Sequence, residues 1–454
     1  MIGNQQVQRD ATGWRLAAFS SLAIPIYAAQ QPLNVYLPAI LTQHYGLPLA
    51  TIGLVFLFER LWGAAADPVI GVLSDRTRIR LGARRSWIVA GALLFGLSVA
   101  ALFFPPGDIT VSYLVVTLFA LYTGWSMIHI PFSAWSGEIA EGYHERTRVQ
   151  TYLHVAGSSA LLLVLILPTI LDQIRPGDIA AKQTAFGVFI LIGLGIGLPL
   201  ALRSFNDPQR FDPPAGSMTL RQSLRLILRE RLLAKIILSD FAVVFGQSVR
   251  GILFVFFVSI YMGRPEWASG LFLLQFVFGI AAGPIWLTIA RRFGKRHTAV
   301  AGEVVQVAIN LGLLLVTPNA FGLLLALTVA QGLAQGSGNL MLRSMVADVA
   351  DKHRLDTGTD QTALFFSAFS LSAKSAMAIA AGIALPLVAW LGFDPKVPNS
   401  SEALTGLLLV FALGPALAHA ASAWLVSGFS LDEAAHYEIR RQLDLNQSTL
   451  VPAE

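Results

Sequence analysis

No cysteine occurs among the 454 residues, which excludes a disulfide framework, a thiolate metal site and a cysteine nucleophile. Charge is scarce as well. Asp, Glu, Lys and Arg make up 13% of the chain, about half the share of a soluble domain. The chain also lacks the Gly-rich Lys-Ser/Thr loop that cradles nucleotide phosphates, the His-Glu-x-x-His zinc pair, and the paired aspartate motifs of a membrane prenyltransferase. Residues 1–14 show neither an apolar core nor a small-residue cleavage site, so a cleaved signal peptide is not expected and the N-terminus is expected in the cytoplasm.

What is present is apolar surface. Hydrophobic residues reach 55% and the mean hydropathy is +0.62, the composition of an integral membrane protein. The formal charge of +5 carries no nucleic-acid signal, because the basic residues sit in short loops between apolar runs. The expected partners are the bilayer and a small-molecule substrate, with no nucleic acid, no cofactor and a monomeric chain.

Apolar runs of membrane length predict twelve spans, near 14–42, 48–74, 86–105, 110–137, 149–173 and 183–203, then 233–262, 265–291, 297–317, 320–347, 361–392 and 403–428. Charge asymmetry orients them. Of the 32 Lys and Arg, the outer connections hold Arg175, Lys182, Arg264 and Lys396, and the spans hold Arg60, Arg250 and Lys374. The remainder fall on the cytoplasmic side, as the positive-inside rule requires. Both termini are therefore expected in the cytoplasm and the chain in the cell (inner) membrane. Four regions follow: a six-helix bundle over 1–203, a linker over 204–232, a second bundle over 233–428 and a tail over 429–454. In the linker, Leu220, Leu224, Ile227 and Leu228 alternate with arginines, the spacing of a helix lying in the headgroup plane. The tail reads as a short surface helix followed by disorder.

The halves echo each other. Gly71 and Gly82 bracket a basic loop after span two, and Gly283 and Gly294 bracket another after span eight, at equal spacing. Glu138 and Glu141 after span four correspond likewise to Asp348 and Asp351 after span ten. Repeats of like topology predict an all-α membrane protein of two six-helix bundles, the major facilitator architecture.

The most informative stretch is span two and its exit. Glu59, Arg60 and Asp67 lie in an apolar helix, where a charge costs about 2.5–3.5 kcal/mol on insertion scales and normally faces a partner or a watery cavity. Arg60 and Asp67 are two turns apart, roughly 10 Å, on one face. Gly63 and Gly71 leave room on either side of the Asp67 carboxylate. Asp75 and five arginines follow at the cytoplasmic exit.

The run from Arg60 through Trp62, Asp67-Pro68 and Gly71, then Asp75 to Arg85 and Trp87, resembles the glycoside–pentoside–hexuronide:cation symporters, with further similarity at Ile130-Pro-Phe132 and Glu145 to Arg148. That resemblance implies cation-coupled secondary transport of a sugar or sugar acid. It implies that Asp67 takes part in binding the coupling cation, that Arg60 accompanies it, and that Lys374 of span eleven approaches as counter-charge. Gly63 stands at the place of the family's second cation-site Asp, which favours H⁺ over Na⁺; Asp67 would be a metal ligand only for Na⁺. Tyr27, His129, Ser133 and His154 stand where the family has sugar-binding Asp, Asp, Trp and Arg. A lipid-like or amphipathic substrate is the alternative within transport.

Other candidate substrate contacts are Gln30 and Asn34 on a polar face of span one, Gln247 and Arg250 in span seven, and Ser370 in span eleven. Arg250 is either a ligand for an anionic group, which its planar fork suits, or half of an ion pair with Asp240 or Asp67. His129 and His154 titrate near physiological pH and are either proton carriers or packing groups. Glu59 and Glu303 read as structural. A non-transporting sensor on the same fold, or a membrane-embedded enzyme, are readings from other classes; nothing in the motifs supports the enzyme.

Overall fold

A computed structural model of the chain describes residues 12–77, 82–139, 143–175, 177–206, 226–227, 229–431 and 433–450. Among these residues the chain is helical, with no strand. In order, the elements are α1 (Gly13–Ser20), α2 (Ala23–Ala28), a π-helical stretch at Pro32–Tyr36, α3 (Leu37–Gln43), α4 (Leu49–Arg76), α5 (Ala83–Phe103), α6 (Val111–Glu138), α7 (Tyr143–Ile174) and α8 (Ile179–Ser204). Then come α9 (Arg231–Phe256) with a π-helical extension to Tyr261, α10 (Ala268–Gly312), α11 (Phe321–Ala334), α12 (Ser337–Thr357), α13 (Thr362–Trp390), α14 (Ser401–Ser427) and α15 (Glu433–Leu450).

Nine of the described helical runs are long and apolar enough to cross a membrane. The remaining expected spans are present in altered form. Span one is broken into α1 to α3, because Pro25, Pro32 and Pro38 each remove a helix donor and crowd the preceding turn. Spans eight and nine run together as α10, divided at Gly294, whose φ of 77° and ψ of 160° suit a residue without Cβ. Span ten is split between α11 and α12 at Gly336, with φ 89°. Three helix starts are capped as the sequence invites: Thr110, Asp178 and Ser400 accept from the backbone N–H groups of Tyr113, Ala181 and Ala403.

Packing divides the chain into two units, Met1–Thr51 with Leu61–Pro213, and Ile52–Arg60 with Pro214–Glu454. The boundary falls inside α4. In the first unit α5 and α6 cross closely. A Cβ at Gly124 would sit 2.5 Å from the backbone N of Phe95, and one at Gly91 2.6 Å from Met127 Cβ. Small residues allow this approach where lipid supplies no hydrophobic drive between helices. Phe19 packs α1 on α6 through Phe132 and the fully buried Trp135, at ring distances of 4.7 and 5.1 Å.

In the second unit Leu233, Ile236, Met345, Val346, Val349 and Phe365 form a core from α9, α12 and α13. The first turns of α4 pack here too: a Cβ at Gly53 would meet Pro386 Cδ at 2.7 Å, and one at Gly382 would meet Leu57 at 2.8 Å. Of the expected linker helix, Leu220, Leu224 and Leu228 lie outside the described residues, while Leu226 and Ile227 pack on the core. The expected tail helix is present as α15, which runs to Leu450. Ile439 and Leu443, one turn apart, bury in the core and His436 reaches Asp348 and Asp351 at 3.4 and 3.1 Å. The residues beyond it, where disorder is expected, lie outside the described residues.

The repeat is visible in backbone and side chain alike. Gly82 has φ 92° and ψ 147°, close to Gly294. Beside Gly82, Arg84 pairs with Glu138 at 3.0 Å; beside Gly294, Lys295 pairs with Asp348 at 2.7 Å.

Candidate functional site

Asp67 stands in the middle of α4 and is half-buried within the first unit. Ser126 of α6 donates its hydroxyl to Asp67 Oδ1 at 2.6 Å. The room expected beside it is there: a Cβ at Gly63 would find nothing within 4 Å, and one at Gly71 only Ile130 at 3.8 Å. A carboxylate with a hydroxyl on one side and open space one turn away can accept a proton or hold a small cation. Trp62, a turn earlier, donates to Thr123 at 3.0 Å and helps hold α4 to α6.

Between α2, α6 and α7 an aromatic cluster forms. His129 stacks on Trp125 at 4.5 Å with the planes 10° apart, and Tyr27 meets His129 edge-on at 6.5 Å. Trp125 in turn donates to the carbonyl of Ile26 at 3.2 Å. Gly157 of α7 makes the approach possible, since a Cβ there would lie 2.9 Å from the Tyr27 ring. Tyr27 and His129 are thus brought together, with Trp125 as the residue that links them. Gln30 and Asn34 are half-buried on the same span. Ser133 and His154 are exposed, and the cluster does not include them.

The second unit receives the other candidates. Arg60 is 8% exposed, lies over the Phe56 ring at 5.7 Å and donates to the carbonyl of Met377 on α13. Arg60 and Asp67 share a helix, but they fall in different units. Lys374 is half-buried on α13, and Ser370, one turn before it, is exposed. Gln247 accepts from Asn339 at 3.4 Å. Arg250 is buried, and its Nη1 donates to Asn310 Oδ1 at 3.1 Å and Gln331 Oε1 at 2.8 Å, with Phe411 at 5.6 Å below the guanidinium. The Nε and Nη2 edge has no hydrogen-bond partner among the described residues. The expected alternative of an Arg250–Asp240 pair is corrected: the partners within the unit are two amides. Amides satisfy one nitrogen without neutralising the charge.

Two groups that read as structural in the sequence have an unexpected setting. Glu59 is 1% exposed with Oε1 unpartnered among the described residues. Glu303 is buried against His419, a histidine that the reading of the sequence passed over. Spacing could have found Glu303, because Glu303, Gln306 and Asn310 place three polar groups along one face of an apolar helix, and all three are buried.

Comparison with known proteins agrees with this architecture. The profile of the family described as MFS/sugar transport protein matches residues 18–433. The symporter YjmB of Bacillus subtilis (strain 168) is 22% identical, covering 90% of each chain. The isoprimeverose transporter of Lactiplantibacillus pentosus is 22% identical over 88% of this chain and 85% of its own. The sodium-dependent lysophosphatidylcholine symporter 1-A of Danio rerio is 22% identical over 97% of this chain and 90% of its own. Among solved structures, the nucleoside transporter NupG superposes with a TM-score of 0.67 at 12% identity, over 90% of this chain and 98% of that one; at that identity the likeness concerns the fold.

Proposed function

We propose, from the premise that this chain belongs to the MFS/sugar transport protein family and is a multi-pass secondary transporter of the symporter kind, that it carries a sugar acid or sugar together with H⁺. The observation that carries the reading is Asp67, a half-buried carboxylate in a membrane-length helix with a hydroxyl partner and open space at Gly63. Such a group is expensive in a membrane, so intramembrane carboxylates are rare and mark ion or substrate pathways. In this reading Asp67 takes the proton, Lys374 is its counter-charge, and Arg60 adjusts the balance between them. A coupling ion works only by binding one conformational state better than another. Gly63, in the place of a second carboxylate, removes half of a Na⁺ site and favours the proton. The substrate would be met by Tyr27, Gln30, Asn34, His129, Ser133 and His154 from the first unit and by Gln247, Arg250 and Ser370 from the second. The protein would act as a monomer in the cell membrane with both termini in the cytoplasm.

A second reading is favoured by one observation. The unpaired Nε and Nη2 edge of Arg250 is the edge that grips a carboxylate or phosphate through two parallel hydrogen bonds. This supports an anionic group on the substrate, whether a hexuronate or the headgroup of a lysolipid. The relative that carries lysophosphatidylcholine keeps that class in view.

The test is uptake by proteoliposomes holding the purified chain, with glucuronate, a neutral pentoside and a lysophospholipid offered in turn under an imposed proton gradient or an imposed Na⁺ gradient. Accumulation of glucuronate that collapses with an uncoupler and with Asp67→Asn supports the reading. Accumulation that follows Na⁺ alone replaces the ion, and accumulation of the lysophospholipid alone replaces the substrate class. No gradient-driven uptake of any compound, with signalling intact in Asp67→Asn cells, would favour a sensor on the same fold.

A further inference from the structure

Within the second unit lies a carboxylate–imidazole pair that the transport reading leaves without a role. Glu303 Oε2 on α10 and His419 Nδ1 on α14 are 2.6 Å apart, with both side chains 1% exposed. The other Glu303 oxygen rests on α12, where a Cβ at Gly338 would fall 2.0 Å from Oε1. Asp240 of α9, itself buried, is close enough for its charge to interact with that of Glu303, and its Oδ2 has no hydrogen-bond partner among the described residues. On the neighbouring turn Ser239 and Ser422 bond hydroxyl to hydroxyl at 2.7 Å, fixing α9 against α14. The charged and titratable groups facing this pocket are therefore Asp240 from α9, His419 from α14 and, through its interaction with Asp240, the exposed Arg343 from α12.

A packing contact between helices needs only one donor and one acceptor, which two neutral side chains supply. Two acids and a base enclosed away from water are a costlier arrangement, because each charge loses its hydration. One proton shared among them lowers that cost and can be gained or lost without moving a helix. We propose that Glu303 and His419, with Asp240 beside them, form a proton-binding site inside the second unit, separate from Asp67.

With Nδ1–H donated to Glu303 Oε2, the arriving proton binds Nε2 of His419. The pair then changes from imidazole and carboxylate to imidazolium and carboxylate. The proton comes from bulk water and returns to it, no other bond is made or broken, and the pocket loses one negative charge. From Glu303 the buried amides of Gln306 and Asn310 continue along α10 for roughly 10 Å to Arg250, which donates to Asn310. A change in the pocket's charge would thus arise about two helical turns from Arg250, a buried guanidinium with an unpaired edge among the described residues.

This site does not depend on which solute is carried, so its test needs no substrate. The full chain in detergent is titrated in unbuffered solution between about pH 8 and pH 5, the range in which a histidine exchanges its proton. The wild type is expected to bind about one proton more than Glu303→Gln or His419→Gln, and the double variant to lose no more than either single one, because a coupled pair titrates as a unit. Titration of either variant like the wild type, or losses that add, would overturn the proposal. Should the substitutions prevent folding, the unaltered chain with isotope-labelled histidine decides. A buried, slowly exchanging imidazole whose ring signal changes across the window supports the site, and one that stays constant overturns it.

Discussion

The two halves of this molecule each keep an acid inside membrane-length helices, but they house it differently. Asp67 is half-buried and accepts from the Ser126 hydroxyl, with open space where Gly63 withholds a side chain. Glu303 is enclosed, with an imidazole on one oxygen and a glycine backbone under the other. An acid beside open space can exchange ions quickly and lets the surroundings move around it. An enclosed acid contributes to packing and exchanges only as its neighbours permit. Repeated architecture therefore does not imply repeated surroundings: the same helical frame leaves space beside an acid in one half and encloses an acid in the other.

The largest effect that would break this contrast is on transport. Asp67→Asn keeps the shape and the Ser126 contact but removes the exchangeable charge. Gradient-driven uptake is expected to be lost, while thermal stability changes by less than about 1 kcal/mol; uptake at wild-type rates would take Asp67 out of coupling. Next comes enclosure itself. Gly338→Ala places a methyl where Glu303 Oε1 now lies and should cost about 1–3 kcal/mol, seen as a lower melting temperature in detergent. The counterpart, Gly63→Ala, meets nothing and should be neutral or stabilising by up to about 1 kcal/mol, as Ala outranks Gly within a helix. Equal effects from these two substitutions would erase the distinction between open and sealed.

A smaller contrast concerns the ion pairs beside Gly82 and Gly294. Lys295→Ala removes the cation that donates to both oxygens of Asp348, and Arg84→Ala removes the partner of Glu138. Each should cost about 0.5–1 kcal/mol in a partly exposed setting, with Lys295 the smaller loss because His436 also reaches Asp348. The smallest expected effect is at Asp360, whose carboxyl is held below the usual carboxylate range by the Thr362 backbone N–H. A depressed value in the folded state stabilises above the unfolded value and is lost as pH falls through the folded one. Asp360→Asn should therefore lower the neutral side of a stability–pH curve by a few tenths of a kcal/mol at most and leave stability below the folded value nearly unchanged, so that the acid limb is flatter.

Much of the frame was legible because membrane burial leaves a coarse signature in sequence. Twelve apolar runs, the asymmetry of Lys and Arg, and glycines at matching places in both halves pointed to the architecture, and Gly82 and Gly294 indeed share one backbone conformation. Breaks inside spans were harder to foresee. The prolines of span one are plain to read, but whether a proline kinks a helix or divides it depends on neighbours that re-satisfy the freed carbonyls. The space beside Asp67 was legible from its flanking glycines, since an absent side chain leaves the same gap in any packing. The division of α4 at Arg60 was not, because it depends on α13, more than three hundred residues away. The partner of Glu303 was not legible, because the half of α10 beyond Gly294 turns Glu303 inward to His419, more than a hundred residues away.

The tail helix has a practical corollary. Ile439 and Leu443 are sunk in the second unit's core, and His436 and Arg440 sit on the acids at the end of α12. A chain cut short before Glu433 would bare a greasy strip and leave Asp351 without His436 and Arg440, inviting clumping once extracted from lipid. Purification handles belong after Leu450, where they leave that clasp whole.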